Sequence, residues 1–335
     1  MEEQLMKKYI VITSIFAPTD AVKKFAQLKG YQLIVVGDKK TPKDWNQDNV
    51  IYLSIEAQNE MSFETGKVLP YNHYCRKMLG YLWAIENGAD FIIDTDDDNI
   101  PKLNWQFPET NGVFDFITKD QGFINIYQLF TTQKIWPRGL PLNLIKKDFK
   151  LQELLTTSNC KVGVWQGLAD EDPDVDAIYR LTSDEICNFS NRKPVVLGTG
   201  TISPFNTQNT IITKELFPLM YLPTYVTFRF TDILRGLVFQ PIMWLYDYNL
   251  GFVDATVIQK RNPHDYMKDF ISEIPMYQHC EKVIDLVSVT ISISNTISDN
   301  LYNAYNALLK DSIVSDKEMV TLEAWLKDIQ NLQSK

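Results

Sequence analysis

Four aspartates within five positions, Asp94, Asp96, Asp97 and Asp98 in FIIDTDDDNIP (residues 91–101), carry the strongest chemical signal in this sequence. Carboxylates this close repel one another unless a cation lies between them, so the cluster points to a divalent metal, Mn2+ or Mg2+, on oxygen ligands. The apolar run ahead of it reads as a strand. Before that, residues 71–88 repeat Cys75, Met78, Leu82 and Ile85 at helical spacing, and Gly88 supplies a stop. Ligands of an open α/β sheet collect at the carboxyl ends of strands, so Asp96, Asp97 and Asp98 are expected to face a crevice that takes a phosphate-bearing ligand. Short acidic runs also occur as solvated turns, and the rest of the chain has to decide between the two.

The 335 residues are 45% hydrophobic and 12% aromatic, ample for a substantial core. A net charge of -9 argues against a nucleic-acid partner, which would need a basic surface. Cys75, Cys160, Cys187 and Cys280 are scattered without the paired spacing of zinc sites or disulfide scaffolds, which fits a reducing cytoplasm. No apolar run approaches the roughly 20 residues that cross a bilayer, and the first residues do not read as a signal peptide. The expectation is a soluble, cytoplasmic protein without a transmembrane segment, whose membrane contact, if any, is peripheral.

The elements that position the aspartates follow from the pattern. Residues 9–16 form a β-rich apolar run covered on both faces, Thr19 caps a helix reaching Gly30, and residues 33–36 and 50–53 read as further strands. This alternation predicts an α/β fold with a mostly parallel central sheet. The turn after the first strand, TSIFAP, lacks glycine, which argues against a dinucleotide site. Residues 105–145 read as irregular, with short strands near Phe114 and Phe123. A second acidic cluster, Asp170, Glu171, Asp172, Asp174 and Asp176, reads as a solvated loop. Residues 229–244 predict a helix capped by Thr231 or Asp232, with Ile233, Leu234 and Leu237 inward and Arg235 on another face. His264 follows the last sheet-like run, residues 251–257, in a Pro-containing loop. Beyond about residue 275 only long helical patterns remain, so the chain divides into residues 1–274 and a C-terminal helical region, residues 275–335.

Several separated stretches, in the same order, resemble the STELLO glycosyltransferase family, which is distantly similar to the reversibly glycosylated polypeptides that act as UDP-arabinopyranose mutases. They are ITSIFAPTDAV, Arg76-Lys77 with GYLWAIENGADFIIDTDDD, DPDVDAIYRLT, SPFNTQNTII, FRFTDILRGLVFQPIMW and RNPHDYMKDF, spanning roughly residues 10–270 and leaving the helical tail outside. Asp96-Asp97-Asp98 resembles the DxD element of GT-A-fold transferases.

The resemblance implies a GT-A-like nucleotide-diphospho-sugar transferase fold and a metal-dependent transfer from a nucleoside-diphosphate sugar, UDP-linked, to a glycan or other hydroxyl acceptor. It places base and ribose near Thr13 and Asp38, which otherwise read as a buried strand residue and a turn residue. Asp98 is expected as the direct ligand of Mn2+ or Mg2+, and Asp96 and Asp97 beside the nucleotide. Arg76, Lys77 and Arg235 would add positive charge near the phosphates, although Arg76 and Lys77 also fit a helix surface pair. Asp232 matches the base of inverting GT-A enzymes and equally a helix cap, and His264 matches the late histidine that completes the metal shell. A nucleotide-sugar mutase and a non-catalytic nucleotide-sugar-binding scaffold are the alternative functions.

Overall fold

A computed structural model describes residues 6–103, 105–183, 185–260 and 265–334. β1 (Lys8–Thr13) shows why its sequence is apolar without alternation: Tyr9 and Val11 enter one core cluster and Ile10 and Ile12 the other, on the opposite face of the sheet. The chain passes through α1 (Asp20–Phe25) to β2 (Gln32–Val36) and on to β3 (Val50–Leu53), each strand parallel to its neighbour. Thr19 caps α1 as expected, its hydroxyl accepting from the Val22 N–H at 3.2 Å, but the helix ends at Phe25, well short of Gly30.

Two short helices, α2 (Ile55–Glu60) and α3 (Glu64–Val68), then lead to α4 (Lys77–Glu86) and β4 (Phe91–Thr95), which pairs parallel with the other edge of β1. α3 is capped from far along the chain, because Asp328 accepts from the Glu64 and Thr65 N–H groups at 2.9 and 2.8 Å. α4 lies directly on the sheet at Gly80, where a Cβ would meet Val11 and Val36 at 2.6 and 2.7 Å.

The parallel pattern holds through these four strands and then becomes mixed. After β5 (Asn99–Pro101), β6 (Asn111–Ile117) and β7 (Gly122–Phe123) come the long β8 (Leu155–Asp170), α5 (Ala177–Thr182), β9 (Val195–Leu197), β10 (Thr201–Ile202) and β11 (Asn209–Thr213). α6 (Thr231–Trp244) and β12 (Asn249–Gln259) complete the sheet, whose ten strands run β3-β2-β1-β4-β11-β8-β6-β9-β12-β5, while β7 and β10 pair separately. β11 is antiparallel to both β4 and β8, whereas β12 is parallel to β8. The α/β sheet with C-terminal helices agrees with a GT-A-like fold.

The C-terminal helices are α7 (Tyr266–Thr290), α8 (Ile297–Lys310) and α9 (Asp316–Gln333). Met276, Val283, Leu301, Tyr305, Leu322 and Trp325 belong to the same core cluster as α4 and α6, so these helices form a layer on one face of the sheet. The boundary expected at residue 275 falls inside α7, which runs through Pro275. No described helix is long and apolar enough to cross a membrane.

Candidate functional site

Chain order places a crevice where the strand sequence reverses: β1 leads outward to β2 and β3, and the chain then returns to lay β4 on the other side of β1. A cavity of about 350 Å3 opens there, at the carboxyl ends of β1, β2 and β4. Thr13, Asp38, Asp96, Asp97, Asp98 and Asp232 all line it. The first acidic cluster therefore does face a crevice, and Asp232, far away in sequence, faces the same one.

The cluster divides by burial. Asp94 is fully buried beneath the cavity floor, with Lys77 Nζ at 2.6 Å, Arg235 Nη1 at 2.8 Å and the Tyr81 hydroxyl at 2.6 Å. Asp96 shares that lysine at 3.0 Å, and Lys77 also donates to the Thr95 carbonyl at 2.5 Å. Burial opposes the Lys77 charge, but Asp94 and Asp96 outweigh it and raise its pKa. Burial pushes the Asp96 carboxyl up to about 6, Lys77 opposes the shift, and Asp98 and Asp94 add to it. Asp97 also reaches about 6, chiefly through burial, although the Ser14 hydroxyl donates to it. Asp98 accepts from Gln259 Nε2 at 3.2 Å, so the end of β12 closes over the acidic turn.

The ends of β1 and β2 are cross-tied. Thr13 donates to the Val36 carbonyl at 3.0 Å, and Asp38 accepts from the His73 N–H at 3.1 Å and the Lys39 N–H at 2.7 Å. Thr13 and Asp38 thus keep their strand and turn roles while lining the cavity. Phe16 and Phe228 stand 47% and 60% exposed at its wall, an apolar surface on which a planar base or a sugar face can rest. Phe228 packs edge-on to Tyr74, ring centroids 5.7 Å apart, and the Tyr74 hydroxyl lies within hydrogen-bond distance of Thr207 Oγ1 at 2.6 Å and Asp96 Oδ1 at 3.2 Å.

Asp232, also in the lining, is not a helix cap, since Phe230 occupies that position and makes no side-chain cap. Its two oxygens accept from Arg138 Nη2 at 3.0 and 2.8 Å. Arg138 also grips Asp174 through Nε at 2.8 Å and Nη2 at 2.7 Å, and donates to the Arg229 carbonyl. Burial opposes the Arg138 charge, but Asp174 and Asp232 overcome it and raise its pKa well above the usual guanidinium value. Gly139, at φ +95°, permits the turn beside it, where a Cβ would strike Ile233 at 2.6 Å.

Four expectations need correction. Arg76 does not reach the cavity wall: Nε and Nη2 donate to Gln58 Oε1 at 2.8 and 2.6 Å, and the guanidinium lies over Tyr71. Arg235 is 1% exposed and committed to Asp94, because α6 is buried on every side through Met243. The second acidic cluster is not a solvated loop, since Asp174 and Asp176 are 5% and 0% exposed and Asp174 lines the cavity. Lys77 is likewise no surface residue, although it stays beside Asp96. His264 lies outside the described residues. Sequence reasoning also missed Tyr74, Arg138, Arg229 and Gln259, whose neighbours are set by non-local pairing.

Comparison with known proteins bears on the family. The family model for STELLO glycosyltransferases matches residues 229–335. The chain is 25% identical to Probable glycosyltransferase STELLO1 of Arabidopsis thaliana over 96% of its own length, and 26% identical to Probable glycosyltransferase STELLO2 of the same plant, again over 96%. It spans 44% of the length of each. The resemblance to the STELLO family is thereby borne out, and it extends into the C-terminal helices that the sequence motifs had left outside.

Proposed function

We propose that this chain is a metal-dependent glycosyltransferase that takes a nucleoside-diphosphate sugar, UDP-linked, and passes the sugar to a hydroxyl of a glycan or other acceptor with inversion. The carrying observation is that Asp96–Asp98 and Asp232 line one cavity at the reversal of strand order. The family match supports the reaction class.

The donor set fits a divalent cation. Asp96 and Asp98 offer hard oxygens, and the penalty that raises the Asp96 pKa is one that a bound cation relieves. Among the described residues no three His, Cys, Asp or Glu side chains make a ready cage, and an ion of the Mg2+ type commonly needs only one or two carboxylates beside substrate phosphates and water. Asp98 would hold it directly and Asp96 through water or by way of the ribose, with His264 as the further ligand. Once bound, it supplies Lewis-acid stabilisation to the departing diphosphate.

The remaining steps belong to the protein. Thr13 and Asp38 flank the nucleoside end, and Phe16 and Phe228 exclude water from its apolar face. Lys77 offsets the charge of Asp96 from below. Asp232 accepts the proton of the acceptor hydroxyl, and its pairing with Arg138 fixes where that oxygen points. A mutase that carries the sugar on arginine is less well supported, since among the described residues both arginines that line the cavity, Arg138 and Arg229, are held in ion pairs with carboxylates. A cytoplasmic setting completes the proposal, in keeping with four buried free cysteines.

Asp232→Asn tests this reading. Calorimetry with UDP and Mn2+ should find donor affinity kept, while turnover falls by roughly 100- to 10,000-fold as general-base assistance is lost. NMR of the product anomer decides the stereochemistry, and a retained configuration removes Asp232 from the role of base.

A further inference from the structure

The side chains behind Asp232 form a buried row of alternating charge that ends on a C-terminal helix. Glu273 of α7 accepts from Arg229 Nε at 2.9 Å, Arg229 Nη2 lies 3.7 Å from Asp174, and Asp174 and Asp232 flank Arg138. All five are at most 8% exposed. The other Glu273 oxygen accepts from the Ala177 N–H at 2.7 Å and the Tyr277 hydroxyl at 2.6 Å. Ser272, its neighbour on α7, takes part as well: its carbonyl accepts from Thr227 Oγ1 at 2.5 Å, and its hydroxyl accepts from the Arg229 N–H at 3.2 Å.

The segment entering α6 is therefore clamped from two sides. α7 holds the backbone and the side chain of Arg229, and Arg138 holds the Arg229 carbonyl together with Asp232, the second residue of α6. Each guanidinium is engaged at more than one nitrogen, which restricts rotation as well as distance. A carboxylate fixed in this way cannot swing without breaking a buried ion pair.

We propose that Glu273 is a positioning residue, through which α7 sets the place of the Asp232 carboxylate at the cavity wall. The proposal rests on the reading of Asp232 as the base. It makes the helical region part of the catalytic apparatus, acting through Arg229, Asp174 and Arg138 and without touching substrate.

Crystal structures of Glu273→Gln and of the milder Tyr277→Phe test the positioning directly. In a folded variant the Asp232 carboxylate should shift by about 1 Å and loosen from Arg138, a displacement of the size that can reduce turnover by up to roughly 100-fold. Tyr277→Phe keeps every charge and serves where Glu273→Gln fails to fold. An unmoved Asp232 with its Arg138 contacts intact overturns the proposal, since a merely stabilising Glu273 would leave a folded protein so. Turnover, followed as UDP release from UDP-glucose, UDP-galactose and UDP-arabinopyranose, provides the second arm. Glu273→Gln should lower it at least tenfold in the wild-type background and less than about twofold on top of Asp232→Asn, as expected of residues acting as one unit. Equal losses in both backgrounds overturn the positioning role alone. Full turnover in Asp232→Asn overturns the base reading instead, whatever the crystals show of Glu273.

Discussion

In the second acidic stretch each aspartate has its own partner: Asp170 pairs with Lys102 at 2.6 Å, Asp172 with Arg180, and Asp174 with Arg138 at 2.7 Å, while Asp176 accepts from the Trp136 indole at 2.7 Å and caps α5. In the first stretch the partners are shared. Asp94 takes Arg235 and most of Lys77, Asp96 shares that lysine, and Asp97 has the hydroxyl of Ser14. Two similar runs of aspartate thus end in different electrostatic states. In the second, Asp170, Asp172 and Asp174 are tied by ion pairs into the framework, whereas in the first Asp96, Asp97 and Asp98 all line the cavity. The count of carboxylates does not distinguish them, and the share of them that lines the cavity does.

The sharpest way to break this contrast is to withdraw a cation from the balanced side. Arg138→Ala leaves Asp174 and Asp232 buried beside each other without their guanidinium, and equilibrium urea unfolding should show a loss of about 3–5 kcal/mol. A loss below 1 kcal/mol would mean that Arg138 does not balance the charges of Asp174 and Asp232.

Removing a carboxylate from the cavity-facing stretch should leave the fold intact and weaken ligand binding. Asp98→Asn is expected to reduce UDP affinity in the presence of Mn2+ by roughly tenfold or more, about 1.4 kcal/mol, in calorimetry. Unchanged affinity, together with indifference to a chelator, removes Asp98 from the metal site.

The smallest effect is a pH dependence of the ligand-free protein. The folded pKa values of Asp96 and Asp97, about 6, lie above the unfolded value near 3.9, so their contribution to stability is full below about pH 4 and is lost as pH rises through 6. With solvent screening of these half-buried groups the change should be about 1 kcal/mol, or roughly 2–4 °C in melting temperature between pH 5 and 7. Millimolar Mn2+ should reduce or reverse that fall. If Mn2+ leaves it unchanged, the source is a buried acid that does not line the cavity, such as Asp176, also near 6 through burial.

The features legible from sequence are those with local causes. The acidic turn was legible because charge crowding is local, Thr19 because a cap acts over three residues, and β1 because a run covered on both faces must be apolar throughout. Asp174 was not legible, since nothing near it in sequence announces Arg138 or Asn206, its partners in the fold. The start of α7 at Tyr266 was not legible for another reason: proline disfavours a helix interior, yet here α7 continues through Pro275, with Glu273 and Met276 buried on either side. Arg76 and Arg235 read as free positive charge because a helical pattern cannot tell that both helix faces will be covered.

The cap that Asp328 gives to α3 has a consequence for the order of events during synthesis. A helix of five residues does not persist alone in water, and the carboxylate that satisfies its first N–H groups is made 264 and 263 residues later. As the chain leaves the ribosome, the sheet strands β1 to β4 can pair while residues 64–68 stay unsettled. They lock when α9 arrives, so the last helix acts as a latch on an early segment. A nascent chain stalled before residue 328 should therefore remain open to protease at residues 64–68 after its first strands have become resistant.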